Sequence, residues 1–145
     1  MRKLNYARFI LLLVLTLGLN ACGGDDVYYT DDYLRNSDEK LCGKTWVETY
    51  EVNDGADLCT HILFFRSDHN GKETYKYQKI YEDGSLSDFY KDSGDAFSWK
   101  WIDDNMEGLE LDYIDKGVIS FDNVWVRENY LSGKIRGKEI TLKRE

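Results

Sequence analysis

The chain has 145 residues, with 27 acidic and 19 basic side chains that give it a formal net charge of −8. This acidic balance argues against nucleic acid or an anionic membrane surface as a partner, because both are bound through basic protein surface. The length allows one small domain after any targeting segment is removed.

The first 21 residues predict a secretory signal peptide. Arg2, Lys3 and Arg8 form a positively charged start, and residues 9–19 form an uncharged apolar stretch of eleven residues. That stretch is too short for a transmembrane helix, which needs about 20 apolar residues. Its length and its flanks are those of a signal peptide, and an uncleaved hydrophobic anchor is the alternative.

A short motif at residues 19–22 (LNAC) follows the apolar stretch and places a small residue, Ala21, directly before Cys22. This segment resembles the lipobox of bacterial lipoproteins. The resemblance implies cleavage after Ala21 and acylation of Cys22, and several acyl chains on one residue would anchor the protein stably in the outer membrane. The alternative is an ordinary signal peptide that is followed by an incidental cysteine.

Residues 22–40 are expected to form the lipidated cysteine and a flexible tether, since 23–40 carry six acidic and two basic side chains without a sustained apolar period. The acidic cluster resembles the surface-export signals of Bacteroidota lipoproteins, which implies display at the cell surface. A solvated linker is the alternative. Loss of residues 1–21 would remove three of the 19 basic side chains, which leaves 16 against 27 acidic ones and a net charge of −11.

Residues 41–145 predict a single all-β domain. From Leu41 onward, apolar and polar residues alternate with a period of two, and no window has a convincing helical period. Turn-forming residues separate the short runs, so the predicted fold is a small antiparallel up-and-down β-barrel, or a sandwich, of about eight or nine strands. The predicted strands are 44–52, 60–66, 72–81, 86–91, 96–102, 109–113, 118–127, 131–135 and 139–142.

Two aromatic rows are the main candidates for a ligand site. Such rows pack in a core when they face inward, and otherwise their rings stack on sugars or line a lipid pocket. The two faces of so small a sheet are not both expected to be core, so the tyrosine row is the one expected to face outward. The first row is Phe97, Trp99 and Trp101, joined by Trp125 in phase with Phe121; the second is Tyr75, Tyr77 and Tyr81.

The two histidines, His61 and His69, are the only side chains that titrate near neutrality, and no nucleophile motif accompanies them. His61 is expected to face water on its strand. We therefore predict no catalytic residue and no enzymatic activity.

Residues 103–108 look like the start of a calcium-binding loop. Ile114 occupies the twelfth position, however, where the EF-hand pattern requires Glu. Cys59 and His61 offer two further ligands, and two ligands do not make a zinc site. We interpret 103–108 as a turn and predict no metal and no other cofactor.

Cys42 and Cys59 remain if Cys22 is acylated, and an exported pair can form a disulfide that adds about 3 kcal/mol in the chain-entropy model. A simple hairpin around residues 54–55 would place Cys59 opposite a residue near Glu51. Cys42 would then lie about 30 Å away, at about 3.3 Å per residue. A disulfide and two free thiols are both open interpretations.

Residues 43–46 (GKTW) at the head of the first strand are similar to the Gly-x-Trp start of lipocalins. Together with the meandering strands, they make residues 41–142 resemble the short lipocalin-like lipoproteins of gut Bacteroidota. The resemblance implies that Trp46 closes one end of a barrel, with Arg144 or Arg136 across its ring. It does not imply a ligand cavity, because the side chains of so small a barrel can fill its interior.

Two classes of function are consistent with these observations. The first is a lipid-anchored outer-membrane protein with a non-enzymatic barrel that binds a small apolar ligand or a glycan through its aromatic rows. The second is an interaction protein, either an accessory subunit of an envelope complex or a host-facing surface antigen. An exposed apolar patch on the domain would favour the second class.

Overall fold

A computed structural model describes residues 35–145. Cys22, the predicted signal peptide and the predicted tether as far as residue 34 lie outside the described residues. A closed barrel of eight antiparallel strands follows one short helix, and each strand pairs with its neighbours in sequence. The elements are α1 (Asp38–Leu41), β1 (Thr45–Val52), β2 (Asp57–Phe65), β3 (Asn70–Lys79), β4 (Lys91–Trp101), β5 (Leu109–Tyr113), β6 (Gly117–Val126), β7 (Tyr130–Ile135) and β8 (Lys138–Arg144).

The prediction of an all-β up-and-down barrel is confirmed, with eight strands. The predicted strand at 86–91 is absent from the barrel, because Leu86 makes only an isolated bridge to Ile80 within the connection between β3 and β4. Gly84 turns the chain there at a φ of +81°, a conformation that favours glycine. The strand β4 begins only at Lys91.

The two ends of the barrel differ in what covers them. Helix α1 lies at the end where β1 begins, and we call this the capped end. There the buried Leu41 accepts a hydrogen bond from the indole Nε1 of Trp46 at 3.0 Å, and Trp46 itself is fully buried. The opposite end carries the turns β1–β2, β3–β4, β5–β6 and β7–β8, and we call it the mouth.

The cation above the Trp46 ring is Lys44, whose Nζ lies 5.9 Å from the ring centroid. Arg144 instead lies beside Trp46 on the ladder between β1 and β8. Arg136 lies at the mouth, in the turn between β7 and β8. The expected placement of Arg144 or Arg136 across this ring is therefore wrong, and the Arg136 guanidinium lies instead over the Tyr113 ring and binds Glu73.

The core of the barrel is built from inward-facing residues at alternate positions of every strand. Two glycines make room for two of its rings: a Cβ on Gly71 would meet the Phe97 ring, and a Cβ on Gly133 would meet the Phe121 ring. Its members are Leu41, Trp46, Leu63, Phe65, Phe97, Trp99, Leu109, Leu111, Tyr113, Phe121, Val124, Val126, Leu131, Ile135, Ile140 and Leu142.

A β-bulge in β6 reverses the expected phase of Trp125. The pairing of β6 with β7 shifts between Asp122 and Trp125, and Asn123 has a left-handed φ of 49°. The extra residue turns Trp125 outward, where it is 36% exposed, while Phe121 and Val126 both face the core. The prediction that Trp125 shares a face with Phe121 is therefore wrong.

The segment before α1 is part of the barrel domain. Asn36 is fully buried, and its amide donates to the carbonyl of Met106 at 2.6 Å and to that of Val124 at 2.7 Å. Its Oδ1 accepts a hydrogen bond from the backbone N–H of Val126 at 2.7 Å. The predicted tether reached residue 40, but 35–40 dock on the bulge of β6 because this one side chain satisfies three backbone groups there.

Candidate ligand-binding site

A buried carboxylate, Glu73, lies at the centre of the barrel near the mouth. It faces inward from β3 and has no exposed surface. The hydroxyl groups of Tyr75 and Tyr113 each donate to it at 2.8 Å. The guanidinium of Arg136 donates to both of its oxygens at 3.0 and 2.9 Å, and Nε2 of His61 lies 2.8 Å from Oε1.

His61 is buried in this cluster, with 2% of its surface exposed. Its Nδ1 lies 2.9 Å from Oε1 of Glu48 on β1, so its ring joins two carboxylates. The ring also stacks on that of Tyr75, with centroids 4.4 Å apart and an interplanar angle of 2°. The prediction that His61 faces water is wrong, because 61 shares the inward phase of Cys59 and Leu63 on β2.

Sequence reasoning did not single out Glu73, Glu48, Tyr50 or Tyr113, and it assigned Arg136 to the other end of the barrel. Arg136 lies in the turn between β7 and β8 with a left-handed φ of 51°, and the residues 136–138 (RGK) look like an ordinary solvent-facing hairpin. Its side chain instead returns over the barrel interior to Glu73. The available signal is Glu73 itself, which lies in phase with Tyr75 and Tyr77 and therefore requires a partner once that row faces inward.

The hydrogen bonds determine the ionisation of the cluster. Burial opposes the charged form of Glu73, but the hydrogen bonds from His61, Arg136 and the two tyrosines outweigh burial and hold the pKa of Glu73 well below its usual range. Glu73 in turn raises the pKa of Arg136. Burial, with the charge of Glu73, raises the pKa of Tyr75 and Tyr113, so both phenols stay neutral donors.

Tyrosine rings line the inner face between this cluster and solvent. Tyr50, Tyr75 and Tyr77 face inward and remain partly exposed, and we call these three residues the tyrosine mouth. The Nζ of Lys138 lies 4.5 Å from the Tyr50 ring centroid, and that of Lys91 lies 5.2 Å from the Tyr77 ring centroid. The mouth thus combines ring faces, hydroxyl groups and ammonium groups.

Exposed apolar side chains continue from the mouth along the β3–β4 connection. The ring of Tyr90 lies 6.4 Å from that of Tyr77, which links the two surfaces. We call the four exposed apolar residues of this connection the apolar rim. They are Tyr81 (52% exposed), Leu86 (45%), Phe89 (52%) and Tyr90 (50%).

The row of Phe97, Trp99 and Trp101 is core at the capped end. Phe97 and Trp99 are almost fully buried, and Trp99 donates through Nε1 to the carbonyl of Arg66 at 3.1 Å. Trp101 is partly buried and donates to Asp38 of α1.

Both aromatic rows face inward, so the prediction that the tyrosine row faces outward is wrong for Tyr75 and Tyr77. In a closed barrel, every strand has one face directed to the interior. The aromatic side chains of both rows lie in that interior, at different positions along the barrel axis. Tyr81 lies beyond the end of β3 and belongs to the apolar rim.

The two cysteines of the described chain are free thiols. Cys59 is buried opposite Tyr50, whereas Cys42 follows α1, next to the end of β2 at Phe65. About 20 Å separates them at about 3.3 Å per residue along β2, which is far beyond the reach of a disulfide. Burial, aided by Asp38, raises the pKa of Cys42 to about 11.

The loop 103–108 acts as a turn between β4 and β5. Oδ1 of Asp103 accepts a hydrogen bond from the backbone N–H of Glu107 at 3.2 Å, and the Glu107 carboxylate lies 3.7 Å from the Arg35 guanidinium. Within residues 35–145, the structure brings no three His, Cys, Asp or Glu side chains together as metal ligands.

Three depressions lie on the outer wall of the barrel. The largest, about 450 Å³, follows the seam between β1 and β8, where only Trp46 and Val47 pair with β8. The others measure about 230 and 200 Å³. All three are open to solvent on the outside of the wall, which gives none of them the character of a buried ligand pocket.

No protein-family model matches the chain, and no curated protein or solved structure is significantly similar to it. In the described part of the chain, no helix has both the length and the apolar character that crossing a membrane requires.

Proposed function

We propose that this protein is an outer-membrane lipoprotein, anchored through acylated Cys22 and displayed at the cell surface, whose barrel binds a saccharide at the tyrosine mouth without catalysing a reaction. The observation that carries the binding role is the partial exposure of Tyr50 and Tyr77 above a filled interior. The resemblance to lipocalin-like lipoproteins of gut Bacteroidota is part of this proposal.

A saccharide is favoured over a small apolar ligand by what occupies the barrel. Large side chains such as Phe65, Phe97 and Phe121 fill the interior towards the capped end, where an apolar ligand would have to lie. The mouth instead offers ring faces next to hydroxyl and ammonium groups. Sugar rings present C–H faces for stacking and hydroxyl groups for hydrogen bonds, so their chemistry matches this surface.

A binding role without catalysis is supported by the state of the buried carboxylate. Glu73 accepts hydrogen bonds from four side chains, and these bonds lower its pKa. Such a carboxylate is a weak base and has no free lone pair directed at a ligand. The cluster is suited to holding neighbouring side chains in position.

The direction of the chain supports an outward-facing mouth. The chain enters the described domain at the capped end, where Arg35 and Asn36 bind the bulge of β6. Because that end is opposite to the mouth, an anchor on the N-terminal segment requires no residue of the tyrosine mouth.

Fractionation of cells tests the anchor. The Cys22→Ser variant is expected in the soluble fraction, whereas the wild-type protein and a Cys59→Ser control stay with membranes. Protease accessibility of the wild-type protein on intact cells tests surface display. Continued membrane association of Cys22→Ser would contradict the anchor, and complete protection from protease would contradict display.

Calorimetry tests the binding role. All four tryptophans lie away from the mouth, so the heat of binding is a better signal than tryptophan fluorescence. We expect the soluble Cys22→Ser protein to bind at least one member of a panel of neutral oligosaccharides of glucose, galactose, mannose and N-acetylglucosamine. Adding Tyr77→Ala should abolish that binding, whereas Tyr130→Ala, an exposed tyrosine at the capped end, should not. No heat from any member of the panel would contradict the proposal.

A protein partner is the second candidate, and the apolar rim favours it. The rim concentrates four exposed apolar residues in one connection, and such patches mark interaction sites. Chemical cross-linking in native membranes should then recover one partner from the wild type and lose it when Phe89 and Tyr90 are changed to Ser. Recovery of no partner would count against an accessory subunit of an envelope complex.

A further inference from the structure

The two nitrogens of His61 both face carboxylate oxygens. Oε1 of Glu48 lies 2.9 Å from Nδ1 and Oε1 of Glu73 lies 2.8 Å from Nε2. A neutral imidazole has one N–H and one bare nitrogen, whereas an imidazolium has two N–H donors. Ionised carboxylates only accept hydrogen bonds, so both contacts are hydrogen bonds only when His61 carries two protons.

We infer that His61 is an imidazolium in the folded protein and that its charge is what positions the tyrosine mouth. The ligand-binding half of this inference rests on the proposed function, and the charged state does not.

The charges around His61 balance only in this form. Two carboxylates face it, Glu48 from β1 and Glu73 from β3, and one other cation, Arg136, binds both oxygens of Glu73. An imidazolium completes a neutral set of two anions and two cations in the barrel interior. A neutral His61 would leave an excess negative charge there, which is unfavourable away from water. The other titratable groups packed around the cluster are Tyr50, Cys59, Tyr75 and Tyr113.

The link from His61 to Glu48 matters because β1 is weakly held beyond Val47. Only Trp46 and Val47 pair with β8, so the part of β1 that carries Glu48 and Tyr50 has β2 as its one strand neighbour. His61 lies on β2 directly opposite Glu48, so their side-chain contact reinforces the one ladder that holds this part of β1. Tyr50 lies two residues further along the same strand and faces the same interior.

The link from His61 to β3 holds the second ring of the mouth. The imidazole ring stacks on Tyr75 at 4.4 Å, and both rings bind the same oxygen of Glu73. If His61 lost one proton, it could donate to only one of the two carboxylates. Either Glu48 on β1 or Glu73 on β3 would then lose its hydrogen bond from His61. We therefore expect the tyrosine mouth to be ordered only while His61 is charged.

Nitrogen-detected NMR tests the charged state directly. The chain has two histidines, so in ¹⁵N-labelled Cys22→Ser protein the His69→Gln substitution assigns the imidazole signals. At pH 7 we expect both nitrogens of His61 to carry a proton and to have imidazolium shifts. One protonated and one bare nitrogen at pH 7 would overturn the inference, whether or not any saccharide binds.

The pH dependence of binding tests the positioning role. With an oligosaccharide from the panel that binds, affinity should fall as pH rises, with the same midpoint as the loss of the His61 proton in the NMR titration. His61→Gln, which keeps a single donor group, should weaken binding about tenfold at pH 7 and should lack this pH profile. The His69→Gln control should keep it. Binding that is independent of pH across the NMR midpoint would overturn the positioning role, whereas an absence of binding at every pH would contradict the proposed function alone.

Discussion

Arg136 and Glu73 are 63 residues apart in the chain and form a two-pronged ion pair inside the barrel, with Nη1 to Oε1 at 3.0 Å and Nη2 to Oε2 at 2.9 Å. The pair joins the turn between β7 and β8 to β3 on another part of the wall. Because both oxygens of the Glu73 carboxylate accept a hydrogen bond from Arg136, the contact fixes the relative orientation of the two side chains as well as their separation. It is the longest-range tie in the interior cluster that supports the mouth.

Removal of the Glu73 charge should destabilise the barrel strongly. Glu73→Gln leaves the buried His61 and Arg136 without their shared carboxylate, so we expect the free energy of unfolding to fall by about 3 kcal/mol. Urea unfolding monitored by circular dichroism measures the change. Glu110→Gln, which breaks the exposed pair of Lys100 and Glu110, should cost less than about 1 kcal/mol; equal losses in the two variants would contradict the role of the buried cluster.

Acid should weaken the wild-type protein through Glu73. The pKa of Glu73 is lowered in the folded state, whereas a glutamate in the unfolded chain has a pKa of about 4.3. Its contribution to stability is therefore complete above that unfolded value and is lost as pH falls below it towards the folded value. Urea midpoints from pH 6 to pH 2.5 should fall steeply for the wild type and less steeply for Glu73→Gln, and parallel slopes would exclude Glu73 as the source.

Gly71 should not tolerate a side chain. A Cβ there would meet the Phe97 ring and would lie 2.7 Å from the carbonyl oxygen of Phe64, so Gly71→Ala is expected to lower the free energy of unfolding by about 1–3 kcal/mol. Gly94→Ala is the matched control, because its closest neighbour is the flexible end of Lys72. Thermal unfolding compares the two variants, and an unchanged Gly71→Ala protein would mean that the ring moves aside at no cost.

Asn36 should behave as a core residue. Asn36→Ala leaves the backbone carbonyl of Met106 and the backbone N–H of Val126 without the partner that Asn36 provides, and we expect a loss of about 2–3 kcal/mol in the free energy of unfolding. The exposed Asn129→Ala should change it by less than about 0.5 kcal/mol. If Asn36→Ala also proves neutral, residues 35–40 do not contribute to the domain in solution.

Cys42 and Cys59 should remain reduced thiols that react slowly in the native protein. Cys59 has no exposed surface, and the pKa of Cys42, raised to about 11, leaves little thiolate at pH 8. In Cys22→Ser, a thiol reagent should modify two cysteines rapidly in denaturant and neither one rapidly without it. A non-reduced peptide that links Cys42 to Cys59 would contradict this prediction.

Several errors of the sequence interpretation have one geometric origin. The period of two shows that Tyr75 and Tyr77 share a face, and that His61 shares one with Leu63, but it does not say which face is inside. Closure of the barrel makes that choice for all strands together. The error at Trp125 has another cause: the single extra residue of the bulge reverses the inward and outward alternation for the rest of β6. The sequence around Asn123 does not mark the position of this bulge.

Local patterns in the sequence were enough to predict the class of the domain, the number of strands to within one, and the turns that make each strand pair with the next. These predictions succeed because alternation and turn chemistry act over a few residues. The folded barrel was needed to show that His61 is buried, that Arg136 returns to Glu73, and that Asn36 docks on β6. Each of these contacts joins residues that are far apart in the chain, and their energies come from burial and charge pairing that exist only once the barrel has closed.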